Sequence, residues 1–306
     1  MRIVRLTGIV VVFLVICIAI LTSALFFFKN VEKKNLTDED RKRAGGNYIT
    51  LKNGSTHYQV AGPDTGKVVI LLHGFSVPYY IWDGTFEYLA KQGFRVVRYD
   101  MYGRGYSERP SVTYHNQLYL DQLHELITAL KLKQPVSLAG VSFGGGVATD
   151  FAGAYPGLVN KVVLVDPVYQ LTRPEVPQFV TLFDEAMTPD KRALNQVNDF
   201  KYPKQYPNWP TKYKDQMTYR GFRWAIASTE YNYHFVGKES YAKLKQTKKP
   251  VLLIWGKDDK TVPFKFSDSI RAILHPQFLA VDDAAHLPII EKPELVNKQI
   301  AEFLKR

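Results

Sequence analysis

The sequence predicts an α/β protein that has a mostly parallel, eight-stranded sheet flanked by helices, a helical insertion and one N-terminal transmembrane helix. Three observations carry this prediction. Short apolar runs alternate with segments of helical spacing, one long interval lacks such runs, and an uncharged apolar stretch lies near the N-terminus. Alternation of strand and helix is typical of a parallel sheet covered on both faces.

The apolar stretch occupies residues 7–28 and contains no charged side chain. A helix of about 22 residues rises about 33 Å, which is enough to cross the hydrocarbon core of a bilayer. We therefore expect residues 1–6 to be a short tail and residues 7–28 to be a single-pass membrane anchor. A cleaved signal peptide is the competing interpretation, although its apolar region is usually shorter and LFFF follows Ala24 instead of a polar mature start. Basic residues flank the stretch on both sides, so the side of the membrane that holds the remaining chain stays undecided.

The remaining chain divides into a charged linker, residues 29–47, and a folded domain, residues 48–306. The domain opens with Asn53-Gly54 between two alternating runs, which is typical of a β-hairpin. Six further apolar runs are expected to be strands buried on both faces: KVVILLH, FRVVRYD, PVSLAGV, KVVLVDP, PVLLIWG and QFLAVDD. Helical spacing is found between them, in residues 84–92, 115–132, 143–155, 264–274 and 293–304.

The interval of residues 168–249 contains no buried strand and is rich in Tyr, Trp, Phe and Pro. Because plain loops of this length are uncommon inside compact domains, we expect a helical cap over the ends of the strands. Its aromatic residues are consistent with a tunnel for an apolar substrate, with a belt that contacts the membrane, or with the cap's own core.

Composition narrows the classes of partner. The 306 residues include 40 Lys and Arg against 29 Asp and Glu, a formal net charge of +11, which suits an anionic membrane surface or simply a solvated basic face. No metal-ligand spacing and no interleaved basic and aromatic motif is present, so we expect no metal, no cofactor and no nucleic acid. Cys17 is the single cysteine and lies in the apolar stretch. No obligate protein partner is inferred.

The stretch LAGVSFGGG places Ser142 where a predicted strand ends and a predicted helix begins. Gly140 and Gly144 permit a sharp turn there, which exposes the serine hydroxyl to a substrate. A serine hydroxyl needs a base that takes its proton during attack. His286 follows the last predicted strand, at the same carboxyl edge of the sheet, whereas His73 is expected to shape a loop. We predict Ser142 as nucleophile and His286 as its base.

The base needs a carboxylate that orients it, and three candidates lie at the same edge of the sheet. Asp258 and Asp259 follow the strand LLIWG, and Asp166 ends KVVLVDP. Asp259 is favoured and Asp166 is its rival. Attack on a carbonyl also requires hydrogen-bond donors for the developing oxyanion. We expect the backbone N–H of Phe143, directly after the nucleophile, and that of Phe75 in the loop HGFSVP.

Five ordered motifs, HGF, RYDMYGRGYSERP, GVSFGG, GKDDKTVP and DAAHLP, resemble the α/β-hydrolase fold superfamily over residues 48–306. The resemblance implies a triad in the chain order Ser, Asp, His and selects Asp259, the fourth residue of its G-x-x-D stretch. The glycine that usually precedes the catalytic histidine is Ala285 in this sequence. The resemblance also implies that Asp100 and Arg104 belong to a structural loop without a catalytic role.

Serine at the turn favours attack on acyl carbonyls, because similar epoxide hydrolases and dehalogenases carry an aspartate there to attack saturated carbon. We expect a serine carboxylesterase or acylglycerol-type lipase, acting on lipophilic esters through an acyl-enzyme on Ser142. Hydrolysis of a C–C bond in a diketone and acyl transfer to an alcohol use the same triad and stay open. A non-catalytic ligand receptor is the alternative from another class; it usually lacks a triad residue, and here all three are present.

Overall fold

The computed structural model describes residues 2–306, with side chains from Gly8 onward, and its described strands number ten. They are β1 (Asn47–Leu51), β2 (Gly54–Ala61), β3 (Val68–Leu72), β4 (Arg95–Tyr99), β5 (Val136–Val141), β6 (Val159–Val165), β7 (Gln170–Leu171), β8 (Phe235–Val236), β9 (Val251–Gly256) and β10 (Gln277–Val281). Eight of them form one sheet in the order β1-β2-β4-β3-β5-β6-β9-β10. Strand β2 pairs antiparallel with β1 and β4, and every other pair in this sheet is parallel. The predicted eight-stranded, mostly parallel sheet is confirmed.

The described chain contains thirteen α-helices. They are α1 (Arg2–Lys29), α2 (Asp38–Ala44), α3 (Asp83–Lys91), α4 (Asn116–Ala129), α5 (Phe143–Ala154), α6 (Gln178–Met187), α7 (Pro189–Asn195), α8 (Trp209–Met217), α9 (Phe222–Asn232), α10 (Gly237–Gln246), α11 (Phe266–Leu274), α12 (Pro288–Glu291) and α13 (Pro293–Lys305). Every residue of β3, β5 and β9 is buried. Their Val, Leu and Ile side chains fill two apolar cores, one on each face of the sheet, as expected for strands covered on both sides.

The opening hairpin differs from the sequence prediction by one residue. Leu51 pairs with Gly54, so the two loop residues are Lys52 and Asn53, and Gly54 is already the first residue of β2. Gly54 has a φ of 120°, a conformation that only glycine adopts without strain. The dipeptide therefore marks the hairpin correctly but does not itself form the loop.

The insertion of residues 168–249 is mainly helical, with the short antiparallel pair β7–β8. Its last helix, α10, packs against α5 and α11 beside the sheet. The cap helices are therefore α6 to α9. Many aromatic rings of the cap pack on one another: the Phe200 and Tyr206 rings, from the segment between α7 and α8, stack at 3.8 Å, and the Trp209 ring meets Phe200 edge-on at 5.1 Å. These rings form the cap's own core.

The N-terminal helix contains a 22-residue part, Gly8–Lys29, that is long and apolar enough to cross a membrane, and none of it is buried in the domain. Among the described residues this is the one such helix, and a signal sequence passes the same test. The segment that follows is ordered against the cap. The N–H of Lys34 donates to the Thr218 carbonyl at 3.0 Å, and the N–H of Arg220 donates to the Lys34 carbonyl at 2.8 Å. The sequence analysis did not predict α2 or this attachment.

Candidate active site

Ser142 lies at the turn from β5 into α5, with φ 54° and ψ −120°. A non-glycine residue in this region stores backbone strain, which persists only where the surroundings enforce it. Close packing provides that enforcement. A Cβ on Gly140 would lie 2.2 Å from the Gly144 carbonyl oxygen, and one on Gly144 would lie 2.3 Å from the Leu72 carbonyl oxygen. Gly140 is therefore required for the close approach of β5 and α5 within the turn, and Gly144 is required for the packing of α5 against β3.

His286 and Asp259 form a buried pair beyond the ends of β10 and β9. The Nδ1 atom of His286 lies 2.7 Å from Oδ2 of Asp259, and the two side chains are 4% and 0% exposed. The other oxygen of Asp259 accepts the backbone N–H groups of Thr261 and Val262 at 2.8 and 2.9 Å. Because Nδ1 is engaged, Nε2 is the ring nitrogen of His286 that remains for a group in the cavity.

The environment shifts the pKa of His286 above its ordinary value of 6.5. Burial by itself lowers this pKa, but the charge of Asp259 and the hydrogen bond that Nδ1 of His286 donates to Asp259 outweigh the burial. Such a pair suits an imidazole that must accept a proton and be stabilised as imidazolium for one step.

Asp166, the rival acid, lies beside this pair but is differently bonded. Its Oδ1 accepts the N–H of Gly256 at 2.8 Å, and its Oδ2 has no hydrogen-bond partner among the residues described. Burial first, and then the negative charge of Asp259, raise the pKa of Asp166 well above its ordinary range. Asp259, and not Asp166, is the acid that contacts His286. One potential ligand atom from each of Asp166, Asp259 and His286 lies within 4.8 Å of the others, a spacing that could hold a metal ion. The hydrogen bond between Asp259 and His286 already uses one atom of each of these two residues.

The loop after β3 approaches Ser142 closely. A Cβ on Gly74 would lie 3.7 Å from Cβ of Ser142, and the rings of Phe75 and Phe143 meet edge-to-face at 5.6 Å. Within residues 8–306, neither the Phe75 nor the Phe143 amide donates a hydrogen bond. Two unused N–H groups on the segments that flank Ser142 meet the chemical requirement of an oxyanion site.

Arg104, which the resemblance placed in a structural loop, fixes the position of Phe75. Its buried guanidinium donates from Nε to the Phe75 carbonyl at 2.9 Å. The same group donates to the hydroxyls of Tyr119 at 2.7 Å and Thr229 at 3.1 Å. Arg104 therefore ties the loop that holds Phe75 to α4 and to the cap helix α9.

His73 holds the start of the same loop. Its Nδ1 lies 2.7 Å from the Gly74 carbonyl oxygen and donates to it, while its Nε2 accepts the N–H of Met101 at 2.9 Å. Burial lowers the pKa of His73 to about 4, so the ring is neutral at pH 7. A neutral ring with both nitrogens engaged shapes the loop and takes no proton.

The sequence analysis did not identify two residues that hold the loop containing His286. The N–H of His286 donates to the backbone carbonyl of Asp199 in the cap at 3.0 Å. The carboxylate of Glu291 accepts the N–H groups of Ala285 and Lys201, each at 2.7 Å. Asp199 acts through its backbone, which no residue pattern reveals, whereas Glu291, five positions after His286, carries a weak signal as a lone acid in a short helix.

A cavity of about 390 Å³ opens beside Ser142 and His286. Its core side is largely apolar, with Phe75, Val77, Ile81 and Leu287. Its cap side is polar and includes Asp184, Glu185, Arg192, Asn195, Gln196 and Glu230. The Arg192 guanidinium is paired with Glu185 and donates to the Tyr213 hydroxyl at 3.1 Å. The cap thus presents polar groups to the cavity, which does not fit the aromatic tunnel that was one of the three alternatives left open by the sequence.

Comparison with known proteins identifies the family to which this fold belongs. Residues 67–293 match the family described as alpha/beta hydrolase fold, and the chain belongs to this family. A non-heme chloroperoxidase of Streptomyces lividans is 25% identical over 279 residues, covering 84% of this chain and 99% of that protein. Monoacylglycerol lipase ABHD6 of Rattus norvegicus is 26% identical over 257 residues, covering 77% and 74%. The solved structure of a thermophilic esterase from Thermogutta terrifontis aligns with a TM-score of 0.70 at 25% identity, covering 85% and 98%.

Proposed function

We propose that the protein is a membrane-anchored serine hydrolase that cleaves carboxylic esters. One observation carries the proposal: Ser142, at a strained strand-to-helix turn, lines the same cavity as His286, whose Nδ1 lies 2.7 Å from Asp259. A hydroxyl, an imidazole and a buried carboxylate in this arrangement form the constellation that activates a serine for attack on an acyl group.

In the proposed reaction, Oγ of Ser142 attacks the ester carbonyl while Nε2 of His286 takes the hydroxyl proton. The backbone N–H groups of Phe75 and Phe143 donate to the oxyanion, and each such donor contributes roughly 2.7 to 4 kcal/mol to the transition state. Collapse of the tetrahedral intermediate breaks the bond to the alcohol, which receives the proton from His286. Water then attacks the acyl-enzyme with His286 as base, and the serine is released with the carboxylic acid. Asp259 holds the tautomer of His286 throughout.

The cavity supports an amphipathic ester as substrate. Its apolar core side fits an acyl chain, and its polar cap side offers hydrogen bonds to hydroxyl groups of the alcohol. We therefore propose a monoacylglycerol-like ester, which combines one acyl chain with a small polyol. The rat relative named as a monoacylglycerol lipase, at 26% identity, supports this substrate class.

We propose that α1 stays attached and anchors the enzyme. None of its apolar part is buried in the domain, and the segment after it is fastened to the cap by the Lys34 hydrogen bonds with Thr218 and Arg220. A helix that was merely a removable leader would have no need of an ordered attachment so close to its end.

The test is a substrate panel for the full chain in lipid nanodiscs, with Ser142→Ala as control. The panel contains monoacylglycerols, a triacylglycerol, short p-nitrophenyl esters and a diketone. We expect hydrolysis of monoacylglycerols and short esters, slower hydrolysis of the triacylglycerol, and none by the Ser142→Ala protein. Cleavage of the diketone alone would overturn the ester assignment in favour of C–C bond hydrolysis. Absence of any turnover by the folded protein would favour a ligand receptor.

A further inference from the structure

The cap helix α6 carries two different faces. Asp184 and Glu185 line the cavity, whereas Phe179, Val180 and Phe183 point outward and are 71%, 39% and 39% exposed. Residues 179 and 183 are four positions apart and lie on the same side of a helix. Exposed aromatic and aliphatic side chains that are grouped on one helix face mark a surface that a membrane or another protein covers.

The neighbour of this face is the end of α1. The rings of Phe26 and Phe183 are stacked with their centroids 6.4 Å apart. Thr22 and Phe26 of α1 share an apolar groove with Phe179, Val180, Leu182 and Phe183 of α6. The outward face of α6 is thus continuous with the exposed apolar surface of α1.

Contacts on the other side hold α1 and the cap in this arrangement. The Arg223 guanidinium lies 5.2 Å from the centroid of the Phe26 ring. The carboxylate of Glu32 accepts the N–H of Arg223 at 2.5 Å and pairs with its guanidinium at 3.3 Å. Arg223 belongs to α9, which packs against α6, so both cap helices are held at a defined height along α1.

With Lys29 at the membrane surface, the position of α6 along α1 corresponds to the depth at which interfacial helices lie. Thr22 precedes Lys29, the last residue of α1, by seven residues, which corresponds to about 10 Å along the helix axis. Amphipathic helices bind with their apolar face buried about 5–10 Å into the boundary between headgroups and acyl chains. The basic Lys29, Lys33 and Lys34 follow at the level of the headgroups, where anionic lipids attract them.

We propose that α6 is a second membrane contact: its face of Phe179, Val180 and Phe183 inserts into the leaflet from which the C-terminal end of α1 emerges. This inference rests on the proposed anchor. Because the other face of α6 lines the cavity, the contact places the cavity at the bilayer surface, and an amphipathic ester enters from that leaflet. Continuity with α1 favours the bilayer over a second protein as the occupant of this face.

The depth of α6 is measured with the full chain in vesicles of phosphatidylcholine and phosphatidylserine. In a Cys17→Ser background, Phe179→Cys is labelled with an environment-sensitive fluorophore, and quenching by lipids brominated near the carbonyl or near the methyl end is recorded. Lys298→Cys is the matched control, because Lys298 is 71% exposed on α13. Native Cys17, labelled in a second protein, reports on α1 itself.

We expect the probe at position 179 to be blue-shifted and quenched most by bromines near the carbonyl end, the probe at Cys17 to be quenched by deeper bromines, and the probe at 298 to be unaffected. If Cys17 escapes quenching, the anchor fails and the inference fails with it. If Cys17 is quenched but position 179 behaves like position 298, the anchor stands and the second contact is overturned. A blue shift at 179 without bromine quenching also overturns it, since a protein would then cover the face.

The consequence for substrate entry is tested with Phe179→Ser. Phe179 does not line the cavity, so hydrolysis of a water-soluble short-chain ester is expected to stay unchanged. Hydrolysis of a monoacylglycerol embedded in vesicles is expected to fall roughly tenfold, since one large apolar side chain no longer enters the bilayer. An equal loss with both substrates, or no loss with either, would contradict a role of α6 in delivering substrate.

Discussion

The strand-end loops and the cap helices form opposite sides of one cavity but are stabilised differently. On the loop side, backbone hydrogen bonds and packing at glycines fix each group: Asp259 by two amides, Ser142 by the turn between Gly140 and Gly144. On the cap side, polar side chains pair with one another, as Arg192 does with Glu185. The difference suggests a division of work, in which the loops perform the chemistry and the cap selects the ester.

The largest effect is expected on the loop side. Asp259→Asn removes the carboxylate that orients His286, and kcat should fall about 10⁴-fold for every ester. Asp258→Asn is the matched control, because the Asp258 side chain is 41% exposed and pairs with Lys201 at 2.7 Å. Exposed ion pairs contribute little, so its kcat should stay within about twofold of the wild type. A comparable loss of kcat in both variants would contradict this account, since Asp258 and Asp259 would then contribute equally to the reaction.

A smaller loss is expected where the two sides meet. Arg104→Met removes the donor to the Phe75 carbonyl, and a shifted oxyanion donor should lower kcat roughly 10- to 100-fold with little change in KM. Steady-state kinetics with a short ester measures this split, and thermal unfolding verifies that the variant is folded. A folded variant with normal kcat would show that Arg104 does not position the loop that holds Phe75.

A change of preference is expected on the cap side. Glu230 lines the cavity, so Glu230→Gln should raise KM for a monoacylglycerol roughly 2- to 10-fold, which corresponds to one weakened hydrogen bond. Its kinetics with a p-nitrophenyl ester, which has no polyol, should not change. An equal effect on both substrates would contradict the proposal that the cap selects the substrate while the loops carry out the reaction.

The smallest effect is a shift in pH dependence. Protonated His286 cannot accept the serine proton, so kcat/KM should fall as the pH drops through the pKa of His286 in the free enzyme. Because Asp259 raises this pKa, the midpoint of the acidic limb should lie above 6.5. Measurement of kcat/KM against pH with a short ester checks this, and a midpoint below 6.5 would contradict the described pairing.

The sequence predicted the loop side far better than the cap side. The carboxyl ends of parallel strands meet at one edge of the sheet, so Ser142, Asp259 and His286 were expected to lie together. In the structure Ser142 and His286 line one cavity, and Asp259 is bonded to His286 behind it. The resemblance selected Asp259 over its neighbour Asp258, but Asp166 stayed a rival, because two acids at neighbouring strand ends look alike in sequence. The structure separates them by their bonding: Asp259 contacts His286, whereas Asp166 accepts the N–H of Gly256.

The cap was predicted as helical, but its cavity lining was not predicted. Its sequence is rich in aromatic residues, yet Phe200 and Trp209 pack inside the cap while Glu185 and Glu230 line the cavity. Helical spacing shows that a helix has two faces, but tertiary packing decides which face meets the cavity. The attachment through Lys34 was equally hidden, since its hydrogen bonds join backbone groups.

Reaction with a fluorophosphonate tests the central claim most directly, because an activated serine attacks the phosphorus of such a probe, displaces fluoride and becomes phosphonylated. The full chain in nanodiscs is labelled beside Ser142→Ala and His286→Ala, and the modified peptide is located by mass spectrometry. We expect the wild type to carry the label on Ser142, and both variants to remain unlabelled. A folded wild-type protein that stays unlabelled, or a Ser142→Ala protein labelled as strongly as the wild type, would contradict the proposal that Ser142 is the nucleophile.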